Sequence, residues 1–351
     1  MTQPTRTLGN LLVTGGAGFI GSAFIRSAMV RPSFTAQIIN LDAMTYAGNL
    51  DNLAGVDAAR HTFVKGDILD GTLVETLLDE HEITTIVHFA AESHVDRSIH
   101  GPSAFIQTNI VGTMRLLDAV RARPHVHFHH ISTDEVYGSL GDSGLFTETS
   151  PYLPNSPYAA SKAGSDHLVR AWGRTYHLST TMSHASNNYG PFQFPEKLIP
   201  LMIMNCLERK PLPVYGTGSN VRDWLHVDDH AAAVWAILER GAPDEVYDIG
   251  GGNEWKNLDL VHQLVALVAE LRGEPVDTYH SLITFVTDRP GHDLRYAIAG
   301  EKIAATLGWR PTYDFVSGLR ATIRWYLENP AWIERVKTGA YREWLATNYV
   351  R

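Results

Sequence analysis

The sequence predicts an α/β protein, a Rossmann-like doubly wound parallel sheet with a smaller, interleaved C-terminal substrate-binding domain. From Leu11 to Ser183, short β-branched runs alternate with longer stretches that have apolar residues at three and four spacing. A glycine-rich turn follows the first of these runs. After Gly190 the composition changes, and proline and glycine become frequent. We therefore expect crossover helices on both faces of the sheet and a separate architecture in the second half.

The elements follow in order. The predicted strands are Leu11–Thr14, Gln37–Leu41, Thr62–Val64, Thr85–Phe89, Val126–Ile131 and Thr180–Met182. Phe105–Arg121 and Tyr158–Tyr176 are long enough for helices. Beyond Gly190 the runs PFQFPEKLIP, PLPVYG and TDRPGH predict turns and loops, and Val246–Ile249 predicts one return to the sheet.

Composition limits the classes of function. The 351 residues are 44% apolar and 19% charged, enough for a substantial core. A net charge of -9 does not favour binding to nucleic acid or anionic lipid. The one cysteine, Cys206, excludes an intrachain disulfide, and no apolar run approaches the roughly 18 residues of a spanning helix. We expect a cytoplasmic protein with neither a nucleic-acid nor a membrane partner.

A dinucleotide site is predicted at the first turn. Gly15, Gly18 and Gly21 stand in a GxxGxxG pattern between a strand and a helix, where bare backbone lets a pyrophosphate approach the helix N-terminus. The next strand ends at Asp42, whose carboxylate would accept hydrogen bonds from a ribose diol and repel a 2′-phosphate. This favours NAD over NADP. Asp67, after the third strand, is a candidate adenine contact or an ordinary turn residue.

A redox pair is predicted in the helix after the fifth strand. Tyr158 and Lys162 are four apart and share one helix face. A nearby ammonium and a positive nicotinamide would both favour the phenolate of Tyr158, which could then take a hydroxyl proton while hydride leaves for NAD. The preceding strand ends in Ser132-Thr133-Asp134-Glu135, so the glycine turn, the strand-end threonine and the tyrosine occur in the expected chain order.

At this point the chain resembles the extended short-chain dehydrogenase/reductase family, and within it the 4,6-dehydratases of dTDP-glucose. The resemblance runs over nearly the whole chain. It rests on GGAGFIG, LDAMTYAGNL, AAESHVDRSI, STDEVYG, YAASKA, SNNYGPFQFPEKLIP, PLPVYG, RDWLHVDDH, GGGNE and DRPGHDLRYAI.

The resemblance implies an elimination chemistry for Thr133-Asp134-Glu135. Once C4 of the sugar is a ketone, the C5 proton is acidic; Glu135 would abstract it while protonated Asp134 donates to the departing C6 hydroxyl. Hydride then returns to C6, so NAD stays bound through turnover. An epimerase or decarboxylase that uses the same Tyr158 oxidation leaves the two acids without a purpose.

The resemblance also implies the remaining site residues. Toward NAD it implies Gly15, Gly18, Phe19, Ile20, Gly21, Asp42, Thr45, Asp67, Ile68, Ala90, Ala91, Ser93, Thr108, Tyr158, Lys162 and Asn188. Toward the nucleotide sugar it implies His94, Thr133, Asn187, Lys197, Leu198, Pro213, Tyr215, Arg222, Asn253, Asp288, Arg289 and His292. Residues 1–190 would form the NAD-binding domain with 226–252 returning to it, and 191–351 would be mainly the nucleotide-sugar-binding domain.

Several alternatives and departures remain. The family more often has a basic or amide residue followed by cysteine where this chain has His184-Ala185, and tyrosine where it has His226. UDP-glucose as substrate, a 4-epimerase and a non-catalytic NAD-binding protein are the alternatives. The histidines of HVHFHH predict packed or hydrogen-bonded rings rather than a metal site. Relatives pair through the helices that 105–121 and 158–176 predict, so we expect a homodimer.

Overall fold

The computed structural model describes residues 6–337. The outer ends of the two predicted domains, residues 1–5 and 338–351, lie outside the described residues. The strands are β1 Asn10–Thr14, β2 Ile38–Asp42, β3 His61–Lys65, β4 Ile83–His88, β5 His127–Thr133, β6 Thr180–Ala185, β7 Asn187–Tyr189, β8 Leu212–Tyr215, β9 Val221–His226, β10 Glu245–Ile249, β11 Glu254–Lys256 and β12 Ile283–Val286. The helices are α1 Phe19–Met29, α2 Gly71–Glu80, α3 Val95–His100, α4 Pro102–Phe105, α5 Thr113–Arg121, α6 Pro157–Tyr176, α7 Leu198–Glu208, α8 Val227–Arg240, α9 Asn257–Arg272, α10 Asp277–His280, α11 Glu301–Leu307, α12 Phe315–Glu328 and α13 Pro330–Val336.

The central sheet confirms the predicted fold class. Seven parallel strands lie in the order β10-β6-β5-β4-β1-β2-β3. Strand order reverses between β1 and β4, and the crevice at the carboxyl ends of such strands is where doubly wound sheets bind ligands. All six predicted strands and the predicted return at Val246–Ile249 are present, with ends that differ by at most three residues.

Alternation along β1 places its residues on the two faces of the sheet. Leu12 packs with apolar residues of α2, α5 and α6, whereas Leu11 and Val13 pack with α1 and α8. Both faces are therefore covered by helices, as the near-continuous apolar strands require.

The helix predicted over 105–121 is not regular. It consists of the end of α4, a π-helical segment Ile106–Gly112 and α5. Wide turns of this kind often occur at functional sites. Here the segment carries Thr108 and also Asn109, whose amide contacts both the backbone of Glu92 and the hydroxyl of Ser161 on α6.

The prediction of turns and loops after Gly190 is wrong for much of that region. Helices α7, α8, α9 and α12 each have eleven or more residues, and PLPVYG contains β8, which pairs with β12. Pro200 is tolerated because it lies in the first turn of α7. The apolar faces of α7, α9 and α12 form a second core, which outweighs the local proline and glycine signals. No helix in residues 6–337 is long and apolar enough to cross a membrane.

Candidate active site

One cavity of about 430 Å³ opens at the carboxyl end of the central sheet. All sixteen residues predicted to meet NAD line it. So do ten of the twelve residues predicted for the nucleotide sugar: His94, Thr133, Asn187, Lys197, Leu198, Pro213, Tyr215, Arg222, Arg289 and His292. Glu135 and Asp134 lie on the same wall. The structure thus brings the oxidation, elimination and charge-binding groups into one space.

Two of the predicted sugar-site residues do not line the cavity. The amide of Asn253 donates to the carbonyl of Gly251 at 2.8 Å, and its backbone N–H donates to Asp223 at 2.7 Å. Asp288 is paired with Nδ1 of His292 at 2.6 Å. Asn253 fixes a turn below β9, and Asp288 acts on the site through His292.

The glycine turn between β1 and α1 is shaped for a close backbone approach. A Cβ on Gly15 would lie 2.6 Å from the backbone nitrogen of Ala90, and Gly15 has a φ of +72°. A Cβ on Gly21 would lie 2.3 Å from the carbonyl oxygen of Gly15. The N-terminus of α1 therefore has no side chain between it and the cavity at these positions, as a pyrophosphate requires.

Asp42 terminates β2 next to this turn. Its carboxylate accepts from the N–H groups of Ala17 at 3.0 Å and Met44 at 2.8 Å. Burial raises the pKa of Asp42, and the two backbone N–H groups oppose that shift. An acceptor fixed in this place suits the ribose diol of NAD, so the glycine turn and Asp42 together fit the cofactor.

The two adjacent acids lie in the turn that follows β5, Asp134–Tyr137. Thr133 accepts from the N–H of Glu135 at 3.3 Å and donates to Asp134 Oδ1 at 3.3 Å. Burial, followed by the charge of Glu135, raises the pKa of Asp134 well above its ordinary value. Burial also raises the pKa of Glu135, but Arg289, Lys197 and Arg222 oppose it. The proton is therefore held on Asp134 in preference to Glu135.

Tyr158 is held in the first turn of α6. Pro157 occupies the first helical position, and Ser156 caps the helix by accepting from the N–H of Ala159 at 3.0 Å. Burial and the charge of Glu135 raise the pKa of Tyr158, while a hydrogen bond with Thr133 lowers it. The sequence predicts a phenolate favoured by both an ammonium and a positive nicotinamide; in the chain by itself, burial and Glu135 favour the neutral phenol of Tyr158.

Lys162 lies one turn further along α6 and is fully buried. Its ammonium donates to the carbonyl of Ile131 at 2.7 Å. Burial lowers the pKa of Lys162 to about 8, and Asp166 opposes that shift. The backbone of β5 therefore holds the lysine in place, and Asp166 only partly offsets the effect of burial on its pKa.

Three cations face the acids from the second half of the chain. Lys197 donates to the carbonyl of Ser93 at 2.8 Å, and Arg222 to that of Asp293 at 3.0 Å. Burial lowers the pKa of Arg289, but Asp96, 3.1 Å away, and Glu135 more than offset it and raise the pKa. These fixed charges form a local anion site in an acidic protein.

Several residues that shape the site were missed from the sequence. Asp96 pairs with Arg289, and Glu196 accepts from Tyr46 at 3.0 Å and pairs with Arg97 at 3.3 Å. Asp96 lies in the motif AAESHVDRSI, and Glu196 lies in SNNYGPFQFPEKLIP. Their place in these family motifs is the signal by which the sequence could have identified them. His94, which the sequence does predict as a contact of the nucleotide sugar, caps α3. Burial lowers the pKa of His94 well below its ordinary value.

The histidines of β5 are hydrogen-bonded, as predicted. His127 contacts the hydroxyls of Ser179 at 2.8 Å and Thr181 at 2.9 Å, and His129 contacts Thr181 at 2.8 Å. Within residues 6–337, no group of three or more histidine, cysteine and acidic side chains is placed to hold a metal.

Of the two departures from the family pattern, His226 stacks on Tyr313 with ring centres 3.9 Å apart, outside the cavity lining.

Comparison with known proteins agrees with this geometry. The family model of GDP-mannose 4,6 dehydratase matches residues 12–322. The dTDP-glucose 4,6-dehydratase of Escherichia coli is 51% identical over 97% of this chain and 98% of its own length. That of Xanthomonas campestris pv. campestris (strain B100) is 53% identical over 94% and 97%.

Solved structures show the same relationship. The dTDP-glucose 4,6-dehydratase DesIV from Streptomyces venezuelae, solved with NAD bound, has a TM-score of 0.87 and 50% identity, covering 93% of this chain and 100% of its own. UDP-glucose 4-epimerase of Thermus thermophilus, in complex with NAD, has a TM-score of 0.81 but 29% identity, covering 91% and 99%. The chain belongs to the nucleotide-sugar 4,6-dehydratases that the GDP-mannose 4,6 dehydratase model describes, within the extended short-chain dehydrogenase/reductase family.

Proposed function

We propose that the chain is an NAD-dependent hydro-lyase that converts dTDP-glucose to dTDP-4-keto-6-deoxy-glucose. The observation that carries the proposal is the pair Asp134 and Glu135, which face one cavity with Tyr158 and differ in their affinity for a proton. An epimerase needs the tyrosine but neither acid. Relatives about 50% identical over nearly their whole length bear the same activity in their names.

In the oxidative step Tyr158 takes the proton of the sugar C4 hydroxyl, with Thr133 as a hydrogen-bond partner and Lys162 as the charge behind it. A bound NAD would supply the acceptor for the C4 hydride and the donor of that hydride to C6, and its nicotinamide would carry a positive charge into the cavity. Such a charge would oppose the effect of Glu135 on the pKa of Tyr158.

In the elimination Glu135 removes the proton from C5, which the C4 ketone has made acidic. Asp134 gives its proton to the C6 hydroxyl, which leaves as water, and a C5–C6 double bond forms. When hydride adds to C6, the proton held by Glu135 returns to C5. At the end of the cycle Tyr158 holds the proton of the C4 hydroxyl and Asp134 lacks the proton that left with the water, so one proton must pass from Tyr158 to Asp134, directly or through solvent, to restore the starting state.

The diphosphate of the substrate is placed by charge. Arg222, Arg289 and Lys197 stand on the cavity wall, and their charges oppose the effect of burial on the pKa of Glu135. Because the chain carries a net charge of -9, this local cluster supplies the attraction that the whole molecule does not.

We propose the same two-domain division as the sequence suggested, with 1–190 and 226–252 for NAD and the rest mainly for the nucleotide sugar. The position of β10 in the central sheet supports it. The single, buried Cys206 supports a reducing, cytoplasmic location.

A homodimer through α6 and through the π-helical segment with α5 is supported by outward-facing residues of these helices. Ile106 and Tyr176 are 42% and 37% exposed, and Arg121 lies 3.9 Å above the ring of Tyr176. Paired helices from two copies would form a four-helix interface. Sedimentation at micromolar concentration should give the dimer mass, and Ile106→Asp should shift it toward monomer; a monomeric parent protein would contradict the proposal.

The activity is tested by incubating the purified protein with dTDP-glucose, without added reductant, and measuring product mass. A loss of one water and an alkaline absorbance typical of a 4-keto-6-deoxy sugar are expected. UDP-glucose in a parallel reaction tests the nucleotide. No water loss from either sugar would overturn the proposal, and interconversion without water loss would indicate a 4-epimerase.

A further inference from the structure

A chain of buried ionisable side chains lies next to Lys162 and does not line the cavity. We call His130, Asp166, His184 and Asp248 the Asp166 network. Its side chains are at most 1% exposed. They come from β5, α6, β6 and β10, so the central sheet and its crossover helix hold them in fixed positions. The proposed mechanism uses none of them.

The network is continuous by distance. Nζ of Lys162 is 3.4 Å from Nε2 of His130, which is 3.2 Å from Oδ1 of Asp166. The other oxygen of Asp166 is 3.1 Å from Nε2 of His184. Nδ1 of His184 is in turn 3.1 Å from Oδ1 of Asp248. The hydroxyl of Ser132, one residue before Thr133, donates to Asp166 at 2.8 Å.

The protonation states follow from these contacts. Burial lowers the pKa of His184, but Asp166 and Asp248 outweigh it and raise the pKa to about 9. Burial favours the neutral form of Asp166, yet hydrogen bonds from His130 and His184 lower its pKa below the ordinary value. At neutral pH the imidazolium of His184 therefore lies between Asp166 and Asp248, and the hydroxyls of Tyr137 and Tyr152 are 2.9 Å from its Nδ1 and Nε2.

We propose that Asp166 is a positioning residue that keeps Lys162 charged next to Tyr158 on α6, and that His184 and Asp248 hold Asp166 in its ionised form. This inference rests on the proposed function of Tyr158 and Lys162 in sugar oxidation. A charged lysine matters because it favours the phenolate of Tyr158.

Other groups around Lys162 do not supply the same charge. His88 of β4 faces it, but burial lowers the pKa of His88 well below the ordinary value, so this ring is neutral. Burial likewise lowers the pKa of His130, to about 4. Glu135 and Asp134 raise the pKa of Tyr158. Asp166 is the residue whose charge opposes the effect of burial on Lys162.

The test is Asp166→Asn, which removes the charge and keeps the shape. The alkaline limb of the kcat–pH profile should move down by about 1 to 2 pH units. A readout without turnover is an NMR titration of the lysine ε-methylene carbons, in which Lys162 is assigned by its absence from Lys162→Met. Its midpoint should fall by the same amount.

A second variant and a control complete the design. Asp248→Asn weakens the support of His184 and is further from the lysine, so the midpoint should move in the same direction by less. Asp229→Asn is the control, because this buried carboxylate accepts from the N–H groups of Thr312 and Tyr313 at 3.0 Å, in a separate network. It should lower the melting temperature without moving the Lys162 midpoint.

The outcomes separate the two proposals. A Lys162 midpoint that is unchanged in both Asp166→Asn and Asp248→Asn would overturn the inference and leave the network a structural feature. A parent protein that does not dehydrate dTDP-glucose, but whose Lys162 midpoint responds to both variants, would overturn the proposed function and leave the coupling of Asp166 to Lys162 in place.

Discussion

Asp134 and Glu135 are consecutive residues after β5, yet the structure gives their carboxyl groups opposite electrostatic surroundings. Oδ2 of Asp134 is buried and has no hydrogen-bond partner in residues 6–337, whereas Glu135 faces the charges of Arg289, Lys197 and Arg222. One acid therefore retains a proton at a pH where its neighbour is ionised. An elimination that needs an acid and a base at adjacent carbons of the sugar is matched by this difference.

Replacement of Glu135 by glutamine should separate oxidation from elimination. Glu135→Gln keeps the side-chain shape but cannot take the C5 proton, so hydride should still reach NAD and product formation should fall by roughly 10²–10⁴-fold. Rapid mixing with dTDP-glucose should show NADH absorbance that rises and persists. Glu270→Gln, which changes an exposed partner of Arg320, is the matched control and should turn over normally. Full activity of Glu135→Gln would remove Glu135 from the mechanism.

Addition of one methyl group at Gly21 should empty the cofactor site. In Gly21→Ala the new Cβ would lie 2.3 Å from the carbonyl oxygen of Gly15, so the turn must open where the pyrophosphate is expected to sit. NAD content after purification, measured by absorbance of the acid-released nucleotide, should fall by at least about tenfold. Gly300→Ala is the control, because a Cβ there meets no heavy atom within 4 Å. Equal NAD content in both variants would contradict the assigned position of the cofactor.

The helix cap at Ser156 should affect turnover as well as stability. Loss of the bond to the N–H of Ala159 in Ser156→Ala should cost about 1 kcal/mol of the free energy of unfolding. It should also loosen the first turn of α6, which carries Tyr158, and lower kcat. Asp314→Ala removes a comparable cap from α12, outside the cavity, and should cost similar stability without loss of kcat. A kcat that is unchanged in both variants would show that the cap does not position the tyrosine.

The sequence predicted the central sheet well because local and tertiary signals agree there. The strands of that sheet are short, mostly apolar and separated by helices, and the strand-end motif places Thr133 and Glu135 without knowledge of packing. In the second half, α9 forms over Asn257–Arg272 although the surrounding runs are rich in proline and glycine. It does so because its apolar face packs against α7 and α12 in the second core. Such a core forms between distant segments and has no local signature.

The charged partners around the site were also beyond reach of the sequence. Asp166 lies four residues after Lys162, and the sequence shows that the two share a helix face. It does not show that His184 and Asp248 meet Asp166, because those residues come from β6 and β10. Burial and the hydrogen bonds that together set the pKa values of Asp166 and His184 are properties of the folded chain alone.

The imidazolium of His184 should make stability depend on pH in a mildly alkaline window. The hydrogen bonds of Asp166 and Asp248 overcome burial and raise the pKa of His184 from 6.5 to about 9. A raised pKa means that the folded chain keeps a proton which the unfolded chain loses, so this contribution is full below pH about 6.5 and is lost as pH rises to about 9. Between pH 6.5 and 8 the free energy of unfolding should fall by up to about 1.4 kcal/mol per pH unit.

Denaturant unfolding at a series of pH values measures this slope, and two histidine variants interpret it. His184→Gln should lower stability near pH 6.5 and remove most of the slope. His127→Gln is the matched control: burial lowers the pKa of His127 to about 3, so its ring is neutral in both states above pH about 6.5 and its loss should leave the slope unchanged. Above pH about 8 Lys162 acts in the opposite direction, because burial lowers its pKa in the folded chain and unfolding then takes up a proton. A slope that persists in His184→Gln would mean that another group holds the proton and that His184 is neutral between its two carboxylates.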